Sequence, residues 1–423
     1  METETQLQSA SARLLEQALS QKPVLPVSES SVKKARALLQ KQGIPEVKNE
    51  RYKYANVAKI LNEGDFINAE VSASDAETFA KNLSFYSGKN ILVTVNGLVS
   101  RFEAGEGISL SGIGEYLAFQ PKIQLEENDS MQALALLSAR NGFHLRISAP
   151  TAEPLVWLNI VCSGEQAVYG ASLNVIEVAA GIEAELTEIR IGSGKKAFSN
   201  QLSQVKLGEH AQLKMAVSDQ NMGQSSGIFS LLATQEKGST FSHSILATGA
   251  QFLRQNISAE HLAENCHTEL NGFYAADKDR HSDFLTTVNH MFPNCTSDEL
   301  YKGLAADRST AVFNGKVYVA RDAQKTNAYQ SNKNILLSDE ALIRSKPELE
   351  IYADDVKCSH GSTTGQTDLK SLFYLQSRGI REKEAKKMLM LAFAGDVLDR
   401  ISNEDTRSYL AEIAENKLQE ILQ

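Results

Sequence analysis

Turn-forming residues recur ahead of short alternating runs through the middle of this chain, and their spacing limits the architectures it can adopt. Gly181 precedes IEAELTEI, Gly208 precedes EHAQLKMAV, Gly238 precedes STFSHSIL, Asn265 precedes CHTEL, Asp307 precedes RSTAVF and Asp322 precedes AQKTNAY. The successive separations are 27, 30, 27, 42 and 15. A spacing near 27 to 30 is the scale of one coil of a β-solenoid, whose stacked turns bury a continuous core; the 42 and the 15 then read as insertions and half-coils. No proline falls between Leu155 and Phe292, and no long helical period does either. Many short strands also suit a jelly roll or sandwich, which the pattern alone leaves open.

The flanks have a different period. Leu7, Ala10, Leu14 and Ala18 stripe one helix face, and Val32, Ala35, Leu38 and Leu39 stripe a second before Gly43 and Pro45 end it. Ile91-Leu92-Val93-Thr94-Val95 followed by Asn96-Gly97 and Leu98-Val99 predicts a hairpin with a type I′ turn. Beyond Gly365, Leu369, Leu372, Phe373 and Leu375 predict a short helix closed by Gly379. Glu382 to Ile401 predict a second helix, and Leu410, Ile413, Ala414, Leu418 and Ile421 stripe a third. The division that follows is a helical region over 1–62, a mixed lead-in with a hairpin over 63–154, a β core over 155–365 and a helical domain over 366–423. From Met388 to Ala394 the second C-terminal helix is apolar almost all round, so it must be covered by its own neighbours or by another protein.

The chain carries 43 Lys+Arg against 52 Asp+Glu, a formal charge of −9, and shows no basic patch to hold nucleic acid or an anionic membrane. Its four cysteines, Cys162, Cys266, Cys295 and Cys358, contain no CxxC, which points to a reducing compartment without structural disulfides. Glu2 and Glu4 stand where an export signal would be cationic, and no apolar run approaches the roughly 20 residues of a membrane span. The expectation is a cytoplasmic protein.

Phosphate-loop, GxSxG, HExxH and GxGxxG signatures are missing, so no ATPase activity of its own is expected. Cys266 and His267 are adjacent, point to opposite faces of a strand and read as structural. The segment from Glu348 to Gly361 is more informative: if extended, it places Asp354, Val356, Cys358 and His360 on one face. A thiolate and an imidazole on one face can hold a soft or borderline metal, although two ligands do not complete a site.

EIYADDVKCSHGSTTGQTD, followed by LFYLQSRGI, resembles the signature of the SufD branch of the SufB/SufD family, the β-helical subunits of the SufBCD iron–sulfur cluster assembly complex. The likeness continues upstream through YKGLAADRSTAVFNGKVYVARDAQKTNAYQSNKNILLSDEALIRSKPELEIYADD and returns in IPEVKNERYKYANV. Two departures stand out: Ser362-Thr363-Thr364 replace the usual Ala-Thr-Val after the His-Gly pair, and Tyr52 replaces a tryptophan.

The resemblance implies a mainly β fold, a right-handed parallel β-helix core flanked by N- and C-terminal helical domains. It implies a non-enzymatic scaffold that pairs with SufB and docks the ATPase SufC. It also implies that His360, with Cys358 beside it, stands near the SufB interface where a nascent iron–sulfur cluster or iron is held, with no cofactor of the chain's own. Partner surface is then expected at Phe373, Tyr374, Leu375, Arg378, Gly379, Ile380, Ala385, Met388, Leu389 and Ala392. The isolated chain has the surface to form a homodimer, and flavin binding by the assembled complex is left open. The competing classes are an independent β-helix enzyme acting on polysaccharide and a hydrolase using scattered histidines as metal ligands.

Overall fold

The computed structural model describes residues 9–68, 90–151, 153–164, 166–193, 196–220 and 222–423; Leu7, Glu2, Glu4 and part of the 63–154 lead-in lie outside them. From Leu155 to Gly365 the chain alternates between two sheets in a parallel β-solenoid of about seven turns. The first sheet runs from Val168–Val178 through five intervening strands to Leu342–Ile351. The second runs from Leu155–Cys162 through six intervening strands to Lys357–Gly365, and every neighbouring pair within the solenoid is parallel and in continuous register. The hairpin Ile91–Val95/Leu98–Glu103 extends the second sheet, turning through Asn96 and Gly97, both at positive φ. An antiparallel pair, Ile108–Gly112 with Phe143–Ile147, extends the first.

One edge of the solenoid turns through left-handed residues at Gly181, His210, Gly238, Asn265, Asn294 and Lys325, each one coil on from the last. Their backbones stack, His210 N–H donating to Lys237 O, Gly238 N–H to Glu264 O and Lys325 N–H to Asp355 O. Asp307 turns the opposite edge. This corrects the reading of insertions: the separation of 42 skips the Asn294 turn and then crosses half a coil, and the later coils are as regular as the early ones. The left-handed residue is also His210 rather than Gly208, and Lys325 rather than Asp322.

Inward-facing side chains form columns through the coils. Leu92, Phe143, Trp157, Phe229, Phe241, Phe284 and Phe313 are among those that fill the lumen. Neighbouring columns trade volume between coils: Gly272 pairs with Tyr301 and Tyr274 with Gly303. A Cβ added at Gly272 would lie 2.3 Å from the Tyr301 ring, and one at Gly303 would lie 1.9 Å from the Tyr274 ring. Among these rings sits an ion pair, Arg190 with Glu188, fully buried; Asn159 and Gln255 complete its hydrogen bonds and the guanidinium stands 3.8 Å from the centre of the Phe229 ring.

Helices cover both outer faces. Helices α1 (Ala10–Ser20), α2 (Glu29–Gln42), α3 (Val57–Gly64), α4 (Ile113–Phe119) and α5 (Ser130–Ser138) lie over the first sheet, packing on Tyr169, Leu173, Phe198, Ile228 and Phe252. Ser28 caps α2 and Asp129 caps α5. Helix α5 is buried from Ser130 to Leu137, so its apolar residues occupy every side. At the C-terminus come α6 (Leu369–Ser377), α7 (Glu382–Leu398) and α8 (Glu404–Ile421); α7 stops short of the expected Ile401 because Asp399 and Arg400 turn the chain towards the α8 cap at Asn403. Helices α7 and α8 pack on Ala216, Leu246, Phe273, Leu300 and Leu304 of the second sheet.

A buried polar clamp fastens the N-terminal helices to the first sheet. The Arg254 guanidinium pairs with Asp283, donates to Asn256 Oδ1 at 3.0 Å and to Arg51 O at 2.8 Å, and lies 4.0 Å from the centre of the Tyr52 ring. Tyr52 Oη donates in turn to Asp129 Oδ1 at 2.8 Å. Arg254→Ala would leave the Asp283 carboxylate buried and unpaired, a loss on the order of 3–5 kcal/mol. The expected result in denaturant unfolding is a large fall in midpoint, partly recovered by adding Asp283→Ala. A midpoint equal to that of the parent would remove this clamp from the account.

Candidate functional site

The strand Lys357–Gly365 is the last of the second sheet and, among the described residues, has a neighbour on one side only. Register places Cys358 on Ala328, His360 on Gln330, Ser362 on Asn332 and Thr364 on Asn334. Those four partners are buried and face the lumen, so Cys358, His360, Ser362 and Thr364 project the same way, past the last covered coil. His360 is exposed there. Cys358 is half-buried beside Val317, Val319, Ala328 and Ala353, and burial pushes its thiol up, against a hydrogen bond from the Ala328 backbone. Ser362 Oγ donates to Ser345 Oγ at 2.7 Å, tying the final strands of the two sheets together.

The stretch from Glu348 to Gly361 is therefore not one strand. Glu348 to Ile351 end the first sheet, Tyr352 to Val356 turn the corner, and the second sheet resumes at Lys357. Asp354 is exposed in that corner and does not share the face of Cys358 and His360. Among the described residues no three His, Cys, Asp or Glu side chains converge to hold a metal ion. Cys358 and His360 thus offer two donors on one strand face, and among the described residues no third joins them.

Behind His360 the same column continues inward through Gln330, Glu299, Leu270 and His243. Glu299 Oε2 accepts from Thr286 Oγ1 at 2.8 Å and from Gln330 Nε2 at 3.1 Å, while Glu299 Oε1 and Gln330 Oε1 have no hydrogen-bond partner among the described residues. Burial pushes the Glu299 carboxyl up to about 7. The sequence reading missed this polar column. Glu299, Gln330 and His360 are spaced by one coil each in the sequence, so the coil period was the signal that could have aligned them.

The expected partner surface divides. On α6, Phe373 and Tyr374 are 72 % and 58 % exposed, with Leu369 beside them at 75 %; Leu375 and Ile380 are half-buried, and Arg378 and Gly379 are exposed. On α7, Met388 and Ala392 are exposed and Leu389 is half-buried. Ala385 is fully buried and offers no surface. The apolar run of α7 is thus shared between self-packing, through Met390 and Ala394, and open surface. No helix among the described residues is long and apolar enough to cross a membrane.

Residues 161–393, more than half of the chain, match the family model described as SUF system FeS cluster assembly, SufBD core domain. The chain is 29 % identical over 381 residues to the iron–sulfur cluster assembly protein SufD of Escherichia coli K12, covering 86 % of this chain and 87 % of that one. It is 37 % identical over 204 residues to a SufBD family protein of Synechocystis, about half of each chain (48 % and 45 %). It is 30 % identical over 135 residues to SufD of Bacillus subtilis, 32 % of this chain and 31 % of that one.

The raised Glu299 carboxyl predicts a pH signature. Between the ordinary 4.5 and about 7 the folded chain keeps a proton that the unfolded chain has released. The stabilisation is therefore complete below 4.5 and lost as pH rises through about 7, a swing of about 3 kcal/mol. Glu299→Gln removes that dependence, so its unfolding free energy relative to the parent should rise by about 3 kcal/mol between pH 4.5 and pH 8. A difference constant across that range would show that Glu299 titrates normally.

Proposed function

Because the chain belongs to the SufB/SufD family of iron–sulfur cluster assembly proteins, as a SufD-type member, we propose that it is a non-enzymatic scaffold subunit. Its open solenoid end would pair with SufB, and its C-terminal helices would receive the ATPase SufC. The observation that carries this reading is the position of His360, exposed on the lumen side of a strand whose outer edge is unpaired among the described residues. An unpaired edge is a template for adding another chain by main-chain hydrogen bonds. Exposed Tyr329, Leu342, Ile351 and Tyr352 surround that end with apolar surface, which suits a second β-helical end more than open water. A homodimer of the isolated chain would use the same edge.

In this reading the iron or nascent cluster is cargo, held between chains. The His360 imidazole supplies a nitrogen donor, the Cys358 thiol supplies sulfur once deprotonated, and SufB completes the set. A cargo site of this kind benefits from being shared, because a cluster held by donors on two chains is released when they part, whereas a closed four-ligand site on one chain would retain it. Family membership supports an assembly role over the polysaccharide-enzyme and metal-hydrolase readings.

For the ATPase, α6 is the supported contact. Removing everything after Gly365 is a poor test, since α7 and α8 cover Phe273, Leu300 and Leu304. Phe373→Ser with Tyr374→Ser changes only exposed side chains. In co-purification of the complex this double variant should keep SufB and lose SufC, and full SufC retention would exclude α6.

His360→Ala should leave the melting temperature and subunit ratio unchanged, because the side chain is exposed. Cluster yield should fall about tenfold or more, the scale of losing a metal-orienting group. Cys358→Ala should give a smaller defect. A stable His360→Ala complex with full cluster yield would end the assignment.

A further inference from the structure

Two consecutive coils carry the same His-x-x-x-Asn-Cys pattern at the same corner. His261-Leu262-Ala263-Glu264-Asn265-Cys266 is followed, one coil on, by His290-Met291-Phe292-Pro293-Asn294-Cys295. The repeat is structural: His261 pairs in register with His290, Asn265 and Asn294 both turn at φ near +60°, and His267 and Thr296, the residues after the cysteines, pair in turn. Cys266 and Cys295 are therefore stacked neighbours. Residues so placed on adjacent parallel strands have Cα atoms about 4.8 Å apart, inside the roughly 4.4–6.8 Å window that a disulfide accepts without backbone movement. Their thiols converge on one carbonyl, Cys266 Sγ at 3.3 Å and Cys295 Sγ at 3.4 Å from Ala263 O, and share a hydrogen bond.

We propose that Cys266 and Cys295 are an oxidation site, closing as a reversible disulfide that staples these two coils. A metal is not the better occupant. The histidines of the repeat direct Nε2 to Thr268 Oγ1 and Ser297 Oγ, each at 2.9 Å, so their rings are engaged with the lumen and do not join the thiols. Among the described residues no third donor joins the pair. The other two cysteines lie elsewhere: Cys162 is on another coil beside Asn96, and Cys358 packs with apolar side chains.

The shared hydrogen bond links the two thiols. It favours the Cys266 thiolate, holding that group below the ordinary thiol range, while the same bond and burial push Cys295 up. Either thiol can open the reaction; with Cys266 as the nucleophile, Cys295 is the resolving thiol. With a hydroperoxide as oxidant, the Cys266 thiolate attacks the terminal peroxide oxygen. The O–O bond breaks, the leaving oxygen takes a proton, and a sulfenic acid remains. Cys295 sulfur then attacks the sulfenic sulfur, its proton leaving with the displaced hydroxide as water. Two electrons pass to the peroxide, and one S–S bond replaces two S–H bonds. The sulfurs are buried beneath turns whose Leu262, Met291 and Phe292 face solvent, so a small oxidant is favoured over a protein one.

The staple connects to the candidate site through backbone alone. Thr296 N–H donates to Cys266 O, Asn327 N–H to Cys295 O and Lys357 N–H to Thr326 O, and Lys357 opens the strand that bears His360. The inference does not rest on the scaffold reading, and its failure would leave that reading as it stands.

The test uses the full chain. The protein is exposed to hydrogen peroxide, quenched, unfolded without reductant, alkylated and mapped by peptide mass. A Cys266–Cys295 cross-linked peptide should appear, two of the four thiols should escape alkylation, and dithiothreitol should restore both. Cys295→Ser should instead leave a sulfenic acid at Cys266 that dimedone traps. Should that variant fail to fold, the oxidised and reduced parent carry the test, with the oxidised form melting higher. Full alkylation of all four thiols after oxidation, or cross-links that run through Cys162 or Cys358 instead, would overturn the proposal.

Discussion

Every part of this molecule depends on the backbone hydrogen bonds that run from coil to coil in unbroken register. Because the coils repeat at a nearly constant length, each inward side chain lies on an equivalent from the coil before. That constraint makes a polar lumen tolerable. Glu188 and Arg190 share one strand face, so the fork of the guanidinium meets both carboxylate oxygens, and Gln255 and Asn159 reach them from other coils. Without fixed register, such a pair in an aromatic core would be a liability rather than a network.

Register also explains why the two helical units differ. The N-terminal unit meets the first sheet through large apolar side chains and through polar links, among them the clamp around Arg254 and Asn200 Nδ2 donating to Met131 O. The C-terminal unit meets the second sheet through α7 and α8, with Lys417 paired to Asp277 at 2.7 Å and Lys302 to Asp396. Helix α6 takes no comparable part, burying only Leu372. Its exposed Leu369, Phe373 and Tyr374 therefore stand out against helices that are otherwise integral to the wall.

The turn period made the solenoid legible in the sequence, and the Asn-Gly pair marked the hairpin. What misled was the identity of the turning residue. His210 and Lys325 adopt a conformation usually left to glycine or asparagine, and their neighbours Gly208 and Asp322 took their place in the pattern. At the site, Cys358 and His360 did share a face, but a strand carried back to Asp354 crossed a corner that no glycine or proline announces. The polar column behind His360 and the stacked thiols were invisible to short-range motifs because their members are separated by whole coils. Ala385 shows the converse limit, since an apolar helix position does not reveal which side it faces.

A stack whose units touch only their neighbours does not hold all its coils equally. An interior coil is hydrogen-bonded above and below, whereas the coil ending at Gly365 has one such interface among the described residues, and its share of cooperative stability is correspondingly smaller. His360 and Cys358 therefore ride on the part of the solenoid that opens most readily, and a partner seated on that edge would order it as well as complete it. Docking and rigidity would then be one event, driven by the same row of main-chain hydrogen bonds.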